Sequence, residues 1–134
     1  LLITGSCDDK PGELTTVSIC RAKFCSELGL KLADRKISEE CYTTGLLSNL
    51  DAYFDLPMEQ ILSHLNVSEN LSSALLEKDG VAGTTLDVIE QFEQGQWDNI
   101  PWDTLTNQDI NQEICQHMYL QAIIWSNEVT SAMH

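Results

Sequence analysis

Apolar residues recur at intervals of three and four along almost the whole chain, and no stretch alternates with period two for long enough to make a strand. The pattern predicts an all-α fold, a compact multi-helix bundle of about six helices. The first predicted helix follows Asp8-Asp9-Lys10-Pro11, where acids and a proline suit a helix start, and aligns Leu14, Val17, Arg21, Phe24 and Leu28 on one face. Gly29 stands near its expected end. Ser38 is placed to cap a second helix, in which Tyr42, Leu46, Leu50 and Phe54 repeat every fourth residue while Leu47 and Tyr53 widen the stripe. That width predicts a central, largely buried helix.

Pro57 opens a short helix carrying Met58, Ile61, Leu62 and Leu65, and Ser68 caps the next, with Leu71, Leu75 and Leu76 inward and Gly80 beyond its end. Thr84 or Thr85 suits the cap of a helix that turns Leu86, Ile89 and Phe92 inward and runs to Gly95. Trp97 to Thr104, with Pro101 inside, reads as an ordered linker. Thr106 or Asn107 then caps a long helix with a stripe of Ile110, Ile114, Met118, Ala122, Trp125 and Val129, broadened by Tyr119 and Ile123. No repeat, low-complexity tract or second domain boundary interrupts residues 1–134.

The length of 134 residues is that of one domain able to bury a core without staples. The chain starts at Leu1 with an apolar run of three residues, too short for a signal peptide or membrane helix, and is read as a piece of a longer polypeptide. Five cysteines, Cys7, Cys20, Cys25, Cys41 and Cys115, include no pair at the two-residue spacing of a zinc or redox motif, and they fit buried thiols of a cytoplasmic protein. Two tripeptides, at Asn66 and Asn70, formally match a glycosylation acceptor, but nothing else points to secretion.

Charge changes the list of partners. The net charge is −14, and its placement is uneven: residues 1–36 carry six bases against five acids, whereas residues 37–134 carry Lys78 alone against sixteen acids. Phosphate backbones and anionic head groups are bound by Lys and Arg, so nucleic acid and membrane are excluded as the expected partners. Solubility is the plainest use of the acids, and a basic protein partner is the sharper one.

The scarce histidines offer little chemistry. His134 is terminal, and His64 has no carboxylate beside it. Glu113 and His117 are four apart and share a helix face, but two ligands do not make a metal site. Cys115 and His117, two apart, point to different sides and make no nucleophile and base pair. No phosphate-cradling glycine loop, nucleophile elbow or His-Glu-x-x-His helix is present. No cofactor is expected. Trp97 and Trp102 are candidate interaction residues, since Trp is enriched at binding hot spots; Trp125, on the apolar stripe, is assigned to packing.

Several segments together carry a family resemblance. Arg21-Ala22-Lys23-Phe24-Cys25, then Cys41 through Gly45-Leu46-Leu47-Ser48-Asn49-Leu50-Asp51, then Leu56-Pro57-Met58-Glu59-Gln60-Ile61-Leu62, resemble the HD-related output domain (HDOD). Leu65 to Leu76 and Glu90 to Trp97 extend the likeness in the same order. The resemblance spans about residues 1 to 125 and corresponds to the later part of such a domain, with the earlier helices upstream of Leu1. The look-alikes are bacterial signalling proteins in which the domain follows an EAL domain, a cyclic-di-GMP phosphodiesterase module.

In catalytic HD relatives, adjacent His and Asp in a Gly-Leu-Leu-His-Asp context hold a metal that activates water. The matching positions here are Ser48 and Asn49, weak replacements for imidazole and carboxylate, and Arg21 stands where an active relative offers another His. The resemblance therefore implies degenerate metal-ligand positions at Arg21, Ser48 and Asn49, no metal, and no enzyme activity. On an apolar face Arg21 needs an anionic partner, Asp51 or a carboxylate elsewhere. The expected function is a non-catalytic regulatory output module acting by contact with an attached upstream domain, an EAL domain among the options, or with another protein; a homodimer is a further option. Two rivals remain: a metal-dependent phosphohydrolase using Glu113, His117 and acids between residues 51 and 59, and a nucleotide-sensing module built on Arg21 and nearby bases.

Overall fold

A computed structural model of the chain describes residues 4–133, with side chains from residue 12 onward. Among the described residues the fold is all-helical, with six helices of seven residues or more and two single-turn helices. They are α1 (Thr4–Leu32), α2 (Arg35–Leu47), α3 (Leu50–Phe54), α4 (Met58–His64), α5 (Glu69–Glu77), α6 (Gly80–Gln94), α7 (Trp102–Thr106) and α8 (Gln112–Ala132), with a 3-10 turn at Trp97–Asn99. The all-α bundle expected from the periodicity is the observed architecture.

The centre of the bundle is α1. It packs against α2, α6 and α8, and α6 also touches α2 and α5. Its side chains are buried almost all round: Ser18, Ile19, Cys20, Ala22, Phe24, Cys25 and Leu28. The helix begins upstream of the expected Asp8–Pro11 boundary and runs past Gly29 to Leu32. Gly29 does not stop it, because its role is to let α2 approach: a Cβ there would meet Cys41 Sγ at 2.5 Å. Gly45 on α2 is the reciprocal device, since a Cβ would lie 2.6 Å from the Arg21 carbonyl oxygen. Two glycines thus bring the backbones of α1 and α2 together at two levels.

This close approach overturns the expected burial of α2. The helix is capped by Asp34, whose carboxylate accepts from the Ile37 amide at 2.9 Å, and Ser38 lies inside it. Its inward face is small, made of Ser38, Cys41, Thr44 and Gly45, so the large stripe of Tyr42, Leu46 and Phe54 points outward. Bulk cannot occupy a contact that glycine and cysteine set.

The other starts and stops divide the same way. Ser68 Oγ accepts from the Leu71 amide, Pro57 precedes α4, and Gly95 at φ 69° closes α6, all as expected. Leu76, expected inward, is exposed. α6 starts at Gly80, four residues before Thr84, and Gly83 lies so close to the preceding turn that a Cβ there would clash with the Lys78 carbonyl. Thr84 and Thr85 instead bond back to the carbonyls of Gly80 and Ala82. The expected linker holds the 3-10 turn and most of α7, which runs on to Thr106, and α8 is capped not by Thr106 or Asn107 but by Asn111, whose side chain accepts from the Ile114 amide, after a left-handed turn at Asp109.

The apolar core runs from Phe24 and Leu28 on α1 through Leu86, Ile89 and Phe92 on α6 to Leu105, Ile110, Cys115 and Met118. Fully burying a Phe or Leu side chain contributes about 1.5–3 kcal/mol, so these positions dominate stability. No helix among the described residues is long and apolar enough to cross a membrane.

Candidate functional site

The three residues singled out by the resemblance come together. Arg21 on α1 reaches the turn between α2 and α3, where its Nη1 donates to Ser48 Oγ and to Asn49 Oδ1, each at 3.0 Å. The turn presents these groups because Ser48 is the C-cap of α2 and Asn49 the N-cap of α3. Ser48 Oγ in turn donates to the Gly45 carbonyl at 2.7 Å.

The anionic partner of Arg21 comes from α6. Nη2 lies 2.8 Å from Glu93 Oε1 and Nε 3.1 Å from Oε2, a two-pronged pair, with Glu90 3.7 Å from Nη1. Lys78 then bridges to Glu90 at 3.0 Å, so the lone base of residues 37–134 ends the same chain of charges. The carboxylates that answer Arg21 are thus Glu93 and Glu90, in place of the named alternative Asp51. The Arg21 side chain is only 13% exposed. Burial by itself would lower its pKa, but the hydrogen bonds and charge of Glu93, helped by Glu90, overcome that and raise it. The guanidinium is a fixed cation.

Sequence reasoning found Arg21, Ser48 and Asn49 but missed Glu90 and Glu93. Their signal is present: Glu90 and Glu93 are three apart and so share one face of α6. What the sequence does not carry is the pairing across 72 positions.

These residues do not fit a divalent metal. A guanidinium, a hydroxyl and an amide surround the point where the resemblance places ligands, and Arg21 already supplies the positive charge that balances the carboxylates. Among the described residues no three His, Cys, Asp or Glu side chains gather to hold a metal. Glu113 and His117 share a shallow depression on α8 with Lys31, and a lysine opposes a cation there. Cys20, Cys25, Cys41 and Cys115 are buried free thiols; Cys7 lies outside the described side chains. Burial pushes Cys20 and Cys115 up to about 11, and Cys25 higher still. Buried and protonated, they are poor nucleophiles.

The candidate interaction residues lie beside the core. Trp97 meets the Phe92 ring edge-on with centroids 4.7 Å apart, and Trp102 meets it at 6.5 Å while its indole N–H donates to the Trp97 carbonyl. Both therefore order the segment after α6; Trp97 also keeps 40% of its surface exposed. Trp125 is half-buried with the Lys23 ammonium 5.3 Å from its ring centre.

Among curated proteins the chain is similar to the cyclic di-GMP phosphodiesterase CdgJ of Vibrio cholerae, with 31% identity over 124 residues. The matched region is 90% of this chain and 28% of that protein, so the chain spans less than a third of its relative. No protein-family model and no solved structure matches it.

Proposed function

We propose that this chain is an HDOD-like, non-catalytic output module of a cyclic-di-GMP signalling protein in the cytoplasm, acting by contact with an attached domain, an EAL domain being one option, or with another protein. The observation that carries the reading is the Arg21 guanidinium. It sits among Ser48, Asn49, Glu90 and Glu93, where a hydrolytic relative would need a metal, and its donors are already engaged. The similarity to CdgJ over most of the chain supports the signalling context.

The test is direct. Metal analysis of the purified chain is expected to find no stoichiometric divalent ion, and cyclic di-GMP is expected to survive incubation with it whether or not manganese is added. Metal-dependent hydrolysis that disappears on His117→Ala would replace this reading with the phosphohydrolase. Nucleotide sensing through Arg21 predicts heat on titration with cyclic di-GMP; with Arg21 committed to two carboxylates, none is expected.

A further inference from the structure

We propose that the outer face of α2 and α3 is a docking surface for an amphipathic protein segment with an apolar face and a rim of lysine or arginine. The proposal rests on the contact reading above and names the surface through which contact is made.

The face is apolar and open. Phe54 is 61% exposed, and Tyr42, Leu46, Tyr53 and Leu56 are 36% to 40% exposed. Tyr42 and Leu46 stand one turn apart on α2, Tyr53 and Phe54 lie at the end of α3 with Leu56 just beyond it, and the Ser48–Asn49 turn joins the two helices. Among the described residues, nothing covers this row. The inward side of α2 is already closed against α1 through Gly45 and Cys41, with no room for larger groups. A row of large apolar side chains facing water on a chain this acidic is a marker of an interaction surface.

The face is also held still. Arg21 pins Ser48 and Asn49 at the α2–α3 junction, and the Tyr53 hydroxyl is hydrogen-bonded to Thr15 on α1. Asp55, in the left-handed region at φ 55°, ends α3 and leaves Phe54 at its tip. A rigid surface loses little entropy on binding.

Charge selects the occupant. Residues 37–77 contain no Lys or Arg, and the exposed carboxylates of Asp51 and Asp55 flank Phe54 while Glu39 stands one turn before Tyr42. Arg35 and Lys36 stand at the far end of α2. A second copy would bring another net charge of −14 to this acidic end, and an anionic lipid surface would be repelled in the same way. A basic-rimmed amphipathic helix meets both the apolar row and the carboxylates.

The probe is a synthetic helix of about five turns, with leucine on one face and lysine elsewhere, and its twin with glutamate for lysine. Titrated into the 134-residue chain and followed by calorimetry and NMR, the lysine peptide is expected to bind and to shift the signals of Leu46, Leu50 and Phe54. Phe54→Asp and Leu46→Asp should each weaken it by about tenfold or more without lowering the melting temperature, since both side chains face solvent. Asp51→Lys with Asp55→Lys should weaken the lysine peptide and admit the glutamate one.

Equal binding of both peptides, shifts confined to α8, no binding at all, a dimer in sedimentation that Phe54→Asp dissolves, or capture by anionic vesicles would each overturn the proposal. A silent titration alongside a blank hydrolysis assay removes this surface and leaves the non-catalytic reading standing. Metal-dependent hydrolysis would remove that reading whatever the peptides do.

Discussion

Two regions of the molecule tie α6 to α1 in opposite ways. One turn holds Glu90 and Glu93 against Arg21; the same turn carries Phe92, whose ring meets Phe24 at 6.0 Å and Tyr119 at 5.7 Å. The aromatic cluster works by area removed from water, so its contribution depends on volume and little on direction. The arginine hub works by direction. Each of its groups gave up hydration on burial and is repaid only while every partner is present. The cluster supplies stability, and the hub fixes the geometry of the α2–α3 junction against α1 and α6.

The contrast can be broken by substitution. Phe92→Ala should cost about 3–5 kcal/mol, seen as a large fall in melting temperature, and no polar change at the hub should restore it. Arg21→Ala should cost somewhat less, about 2–4 kcal/mol, because it leaves Glu93 without a cation and Glu90 with Lys78 alone in a partly buried site. Combining Arg21→Met with Glu90→Gln and Glu93→Gln should recover at least about half of that loss in denaturant melts, since removing a whole buried network is nearly neutral. If the triple variant were no better than Arg21→Ala, the hub would be a stabilising element in its own right.

Alkaline pH probes the burial side. Cys20 and Cys115 titrate at about 11 in the fold against 9.0 unfolded, so above pH 9 the unfolded chain holds fewer protons than the native one. Their contribution is full below pH 9 and declines between pH 9 and 11, by at most about 2–3 kcal/mol per thiol. Serine at both positions should flatten that decline in pH-dependent melts. Gly45→Ala forces a methyl onto the Arg21 carbonyl and should cost about 1–3 kcal/mol, with Asn49 amide signals shifting as the junction opens. The smallest effect belongs to Lys78→Ala: its bridge to Glu90 is partly exposed, and a loss of about 0.5 kcal/mol or less, erased by salt, is expected.

How far each feature was legible depends on the range of the physics behind it. The caps at Ser68 and Gly95 and the proline before α4 act within a few residues, and they read correctly. The α2 stripe misread because periodicity reports that a helix has an apolar side without reporting which side meets α1. Gly29 misled for the same reason. A glycine near the end of a pattern has the same local signature whether it stops a helix or admits a neighbour, and the position of Cys41 decides between them. At the site, the hydroxyl of Ser48 and the amide of Asn49 are visible in residue types, whereas the carboxylates answering Arg21 lie 69 and 72 residues away.

The sequence by itself determined that the chain is helical, that it is acidic, and that Arg21, Ser48 and Asn49 offer a guanidinium, a hydroxyl and an amide, since propensity, charge and donor chemistry are properties of residues. Only the tertiary structure decided that α1 is the buried centre, that Glu90 and Glu93 hold Arg21, and that Tyr42, Leu46 and Phe54 face outward. Those are properties of pairs distant in sequence, set by how closely two backbones approach, and two glycines on facing helices make that approach possible.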